Sequence, residues 1–190
     1  MVELMMLLEI ANLLSEIAIT VIGGACLLRC YLQYLKFNLS PHSGNPIGLY
    51  LMPLTNWLIM PLRKLIPSVG RIDSACLIGA YLVVLAKVLL IGLLLGNIPS
   101  IGGLIIVSGL ELIGIVLSIL VVLIIANVVL SWVGRGSPTQ YMLSEILNPL
   151  LAPIKRILPS MGPLDLSPLI LLVAIQIAQI VLSNIARALL

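Results

Sequence analysis

Four long apolar runs divide this sequence, at residues 4–28, 74–96, 104–132 and 168–189. Each can cross roughly 30 Å of hydrocarbon, which takes about 20 helical residues. The chain is 61% apolar and 9% charged, where a soluble domain carries roughly 45–50% and about 25%. No aqueous fold hides such an excess, so the chain is expected to live in a bilayer as an all-α protein of four spans. The opening MVELMMLLEI has no basic stretch and no small-residue cleavage site after it, and reads as a retained first span.

The second run contains Lys87 and needs a check. An ionised Lys near mid-helix costs about 2.5–3.5 kcal/mol on the insertion scale, and each Leu, Ile or Val returns about 0.3–0.6. Thirteen such residues in 74–96 give on the order of 4–8 kcal/mol. The span survives.

The connections differ in chemistry. Residues 97–103, NIPSIGG, make a short uncharged hairpin of Pro and Gly. Residues 29–73 and 133–167 hold eight of the ten Lys and Arg residues. The positive-inside bias places both on the cytoplasmic side, with the termini and the hairpin outside.

Within these connections one segment occurs twice. PLRKLIPSVGRID, residues 61–73, returns 92 residues later as PIKRILPSMGPLD, residues 153–165. Residues 1–96 and 104–190 are therefore read as two repeats of span, basic connection and span, joined by 97–103. An even number of crossings between them makes the repeats parallel. In the first copy, apolar residues at 54, 57, 58, 62, 65 and 66 follow helical spacing, with Thr55, Asn56, Arg63 and Lys64 opposite. In the second, Ile146, Leu147, Leu150, Leu151, Ile154, Ile157 and Leu158 oppose Asn148, Lys155 and Arg156. Such a pattern predicts an amphipathic helix in the headgroup plane, apolar face down and basic face up. Pro61 and Pro153 would kink it; Pro67 and Pro159 would stop it. The basic residues either anchor the fold to anionic headgroups, at about 1 kcal/mol each, or form a docking surface for a membrane or cytoplasmic protein.

Gly70 and Gly162 suit the left-handed turn that releases a helix. Asp73 and Asp165, three residues on, suit the N-cap of the next. An ion pair with the repeat's basic residues and an ion-binding role stay open for both.

Charges inside spans are suspects for function. Lys87 and Glu111 each lie about 10 Å below the outer surface at 1.5 Å per residue, on spans joined by the short hairpin, and are predicted to pair. Glu16 has no partner visible in sequence. Gln176, Gln179 and Asn184 suit hydrogen bonds between helices. Glu16, Lys87, Glu111 and the two Gln residues lining a polar path is the alternative.

Enzyme chemistry finds no footing. His42, the one histidine, sits in SPHSGNP without clustered Cys, His or carboxylates, and no hydrolase or phosphate-binding motif is present. Cys26, Cys30 and Cys76 match no zinc or haem spacing and read as small packing residues. No cofactor, metal or nucleic-acid site is expected. Four thin spans with few aromatics suit a body completed by a second subunit.

The two copies of proline, two basic residues, proline, glycine and aspartate resemble the YggT family, which includes the YlmG-like plastid proteins. The likeness extends to RCYLQY (29–34), to residues 45–81 and to residues 131–168. Ser74-Ala75-Cys76 departs from the Ser-Pro that follows the second copy. The resemblance implies a small inner-membrane protein without known catalysis; bacterial members are associated with osmotic tolerance and potassium uptake, plastid members with assembly and organisation. Two readings stand: a non-catalytic organising factor working through its basic segments, and an accessory of ion transport.

Overall fold

The computed structural model describes residues 2–39, 46–67, 73–96, 100–134, 136–157 and 165–189. Within them lie six helices: α1 (Val2–Tyr34), α2 (Pro46–Leu65), α3 (Ser74–Leu95), α4 (Ile101–Val133), α5 (Pro138–Ile157) and α6 (Ser167–Leu189). Helices α1, α3, α4 and α6 are long and apolar enough to cross a membrane. Their exposed side chains include Leu14, Val122, Ile125, Val173 and Ile177, apolar surface suited to lipid.

Helix boundaries follow local chemistry. The first helix does not stop at residue 28 but runs six residues further, because RCYLQY contains no breaker. It closes at Lys36, a non-glycine residue at φ 61°, where Phe37 N–H reaches back to the Leu32 carbonyl at 2.9 Å. That is the left-handed stop of a helix C-terminus, usually given to Gly. Gly96 plays the same part after α3, at φ 66°. Helix α4 begins inside the stretch read as a hairpin. Ser100 caps it, its hydroxyl accepting from Gly103 N–H at 3.2 Å and its carbonyl from Leu104 N–H at 2.8 Å.

The chain forms two compact units, Met1–Val116 with Ala186–Leu190, and Leu117–Ile185. The division falls inside α4. The first turns of α4 stay with α3 because Lys87 meets Glu111 and Tyr81 donates to the Ile105 carbonyl at 3.3 Å.

In the first unit α1 runs along α3, and small side chains set the approach. Gly23, Gly24, Ala25 and Cys26 on α1 are buried, as are Ala75, Cys76, Gly79 and Ala80 on α3. Without a hydrophobic drive between helices in lipid, close packing of such residues holds them together. Helix α2 lies against both by Leu51, Thr55 and Ile59. Its first turn crowds the segment after α1: a side chain on Gly48 would sit 2.5 Å from the Leu39 carbonyl oxygen. Only glycine fits there.

In the second unit α5 buries Leu143, Leu147 and Leu151. These stand 92 residues after Leu51, Thr55 and Ile59, and α2 and α5 are both 20 residues long with prolines inside. The buried positions of α5 are thus those of α2 displaced by 92 residues.

Trp57 and Lys64, seven residues apart, share the exposed side of α2, so the expected separation of its apolar residues from its basic ones does not hold there. Thr55 is fully buried and Asn56 partly so, whereas Leu54, Trp57 and Leu65 are exposed. The protein side of α2 joins Leu51 and Ile59 to the polar Thr55, because α1 offers a buried guanidinium to meet that hydroxyl.

Candidate functional site: a polar node and its basic dyads

Arg29 is the hub of the first unit. It is 1% exposed, on the last turns of α1. Its Nη1 donates to Thr55 Oγ1 at 2.6 Å and to Asn56 Oδ1 at 2.9 Å. The Thr55 hydroxyl donates to the Leu51 carbonyl at 2.7 Å, leaving its oxygen free to accept from Arg29. A buried cation needs such partners, since desolvation without them costs several kcal/mol.

One helical turn further, Gln33, Arg63, Asp73 and Cys76 meet. Arg63 Nε donates to Asp73 Oδ2 at 3.0 Å, and Nη2 donates to the same oxygen. The Cys76 thiol donates to Oδ2 at 3.2 Å. Gln33 is oriented so that its amide nitrogen donates to Oδ2 at 2.8 Å and its oxygen accepts from Arg63 Nη2 at 2.9 Å. Asp73 stands at the N-cap of α3, yet its carboxylate makes no capping bond. Its backbone carbonyl instead accepts from Cys76 N–H and Leu77 N–H at 3.0 and 3.3 Å. The side chain is spent on α2.

Burial pushes the Asp73 carboxyl up, but hydrogen bonds from Arg63 and Cys76, with the Arg63 charge, outweigh it and hold the group below its ordinary value. The same hydrogen bond raises Arg63. Among the described residues Arg29 Nε and Asp73 Oδ1 are buried without a partner.

The second unit has a looser counterpart. Lys155 Nζ lies 2.8 Å from Asp165 Oδ2, both side chains nearly half exposed. Asp165 Oδ1 also accepts from Ser167 N–H at 3.0 Å, so here the carboxylate serves the start of α6 as well. Burial raises Asp165, while bonds from Lys155 and Ser167 bring it below its usual value. Helices α4 and α5 are joined by Ser144 Oγ donating to Asn127 Oδ1 at 3.0 Å.

Each basic dyad is therefore divided. Arg63 and Lys155 turn to an aspartate, whereas Lys64 and Arg156 are exposed and meet no carboxylate among the described residues. Gly70 and Gly162 lie outside the described residues, as do Pro159 and His42.

Inside the spans Lys87 Nζ lies 3.2 Å from Glu111 Oε1, with the side chains 13% and 34% exposed. Gln179 Nε2 donates to Ser118 Oγ at 3.3 Å. Glu16 is exposed on α1 and Gln176 on α6. Among the described residues no group of three or more His, Cys, Asp and Glu side chains is placed to hold a metal ion.

Sequence reasoning missed Arg29, which it left in the basic connection. The signal was present: Leu27, Leu28, Tyr31 and Leu32 continue the helical apolar pattern past it.

The family model CCB3/YggT matches residues 7–94 and 106–186, taking in all the helices that carry these contacts. The chain belongs to the YggT family. It is 34% identical to the uncharacterized protein YggT of Escherichia coli over 165 residues, which is 85% of this chain and 83% of that one. An uncharacterized protein of Vibrio alginolyticus is 33% identical, over 84% of this chain and 85% of its own. One from Pseudomonas aeruginosa is 33% identical, over 87% and 86%. No solved structure matches it at a significant level. YggT membership names neither a reaction nor a cargo.

Proposed function

We propose that this YggT protein is a non-catalytic organising or assembly factor of the bacterial inner membrane, with α2 and α5 as its working surfaces. The observation that supports it is the divided dyad. In each helix one basic residue pairs with the following aspartate, tightly in α2 and loosely in α5, and the other is left outward. A rigid helix presenting a free cation is a recognition element; the intramembrane charges Lys87 and Glu111 neutralise each other locally and leave no net charge for a passing ion.

In this reading α2 and α5 lie at the cytoplasmic headgroup level, as the two parallel repeats require, and contact anionic lipid and a membrane or cytoplasmic protein. A role in osmotic stress would then be indirect, through the complex being organised.

Crosslinking in native membranes, followed by mass spectrometry, tests this. Reproducible partners should attach through α2 and α5 and be lost in the Lys64→Gln, Arg156→Gln double variant, while the protein still inserts. Potassium flux into liposomes holding only this protein, abolished by Glu16→Gln, would instead support transport.

A further inference from the structure

Tyr50, Trp57 and Lys64 recur every seven residues along α2 and so share one helix face. That face is opposite the buried Leu51, Thr55 and Ile59. Tyr50 is 76% exposed and Trp57 61%, and Lys64 is exposed beside them. Met60 and Leu65 widen the same outward surface. It is thus an aromatic and aliphatic strip ending in one cation, at the C-terminal end of the helix.

The strip is firm. Trp57 Nε1 donates to the Leu54 carbonyl at 2.7 Å, which lays the indole along the helix. The neighbouring Arg63 is taken by Asp73, so its charge is already answered. Lys64 meets no carboxylate among the described residues.

We propose that this face of α2 is a binding site for an anionic phospholipid, with Lys64 at the phosphate and the Trp57 indole beside it at the boundary between headgroup and acyl chain. The inference rests on the reading of α2 as an interfacial helix and names which of its residues makes the contact. The charge argument favours lipid over an acidic protein segment. A helix lying in the headgroup plane sets its outward strip against lipid, whose anionic phosphate answers Lys64 and whose ester and upper-chain region answers the aromatic rings. Trp and Tyr belong at the membrane–water boundary for the same reason. In α5, Arg156 holds the position of Lys64, but Pro149 stands where α2 has Trp57. The aromatic half of the site belongs to α2 alone.

The two tryptophans of the chain are Trp57 and Trp132, so Trp132→Phe leaves Trp57 as the only indole. This variant is reconstituted in phosphatidylcholine bilayers carrying a small fraction of brominated phosphatidylglycerol or, separately, brominated phosphatidylcholine. A lysine near an anionic surface supports about a fivefold enrichment of the anionic lipid. Quenching of Trp57 by brominated phosphatidylglycerol should exceed that by the brominated zwitterion by this order. Lys64→Gln should equalise the two lipids, and Lys64→Arg should keep the preference, with gel filtration showing both variants folded. Equal quenching in the parent, or a preference that survives Lys64→Gln, overturns the proposal. Its loss is separable from loss of the organising role: partner crosslinking that persists without lipid preference leaves the latter standing on protein contact alone.

Discussion

Arg63 on α2 and Asp73 at the start of α3 are joined through a single carboxylate oxygen, Oδ2, which also accepts from Cys76 and Gln33. One atom thereby ties together α1, α2 and α3. Lys155 and Asp165, 92 residues on, make the same kind of pair in the open.

That contrast predicts unequal mutants. Asp73→Asn removes a buried charge from four donors and should destabilise by about 2–3 kcal/mol, in the range of a charge-assisted buried hydrogen bond. Asp165→Asn breaks a half-exposed pair and should cost about 0.2–1 kcal/mol. Thermal unfolding of detergent-purified variants, side by side, gives the comparison. Equal losses would show that burial does not set the difference.

Acid should act through the same group. Asp73 is held below its ordinary carboxylate value in the folded protein, so the unfolded chain takes up the proton first as pH falls. The stabilisation is complete above the ordinary value of 3.8 and is lost as pH drops through the lower folded value. Unfolding temperature should be flat near neutrality and fall in acid. Asp73→Asn should be lower near neutrality, flatter below the ordinary carboxylate range, and should converge on the parent in strong acid.

Arg29 carries the second junction. Arg29→Met leaves Asn56 without its donor and loses two charge-assisted bonds; an expected destabilisation of about 1.5–3 kcal/mol follows. Accessibility of a cysteine placed at Thr55 should then rise, because α2 loses its attachment to α1. A variant as protected as the parent would show that Arg29 does not hold α2 in place.

Lys87 and Glu111 make a reciprocal test. Lys87→Glu alone sets two carboxylates together within the membrane, and Glu111→Lys alone sets two ammonium groups. Each should lower the folded yield, seen as the monodisperse fraction on gel filtration. The double exchange restores opposite charges and should recover most of it. No recovery would mean that the pair is incidental.

Much of this architecture was legible in the residues, and the reasons differ from place to place. The four spans are visible because lipid demands about 20 apolar residues in a row, a requirement no loop imitates. Lys87 with Glu111 follows from equal depth on spans joined by a short turn. The buried face of α2 was not legible. Its apolar residues lie on two sides, and the choice between them depends on Arg29, which is a partner distant in sequence and looked like part of a basic loop. Asp73 was similarly ambiguous: the position is that of an N-cap, but a guanidinium within reach is a stronger partner for a carboxylate than a backbone amide.

The proposed organising role requires that the exposed cations Lys64 and Arg156 meet the same leaflet. Single-cysteine variants Lys64→Cys and Arg156→Cys, in a background with Cys26, Cys30 and Cys76 changed to Ser, test it with a membrane-impermeant maleimide. Both should react in inside-out vesicles and stay silent in intact spheroplasts. Labelling of one from each side of the membrane would contradict the account.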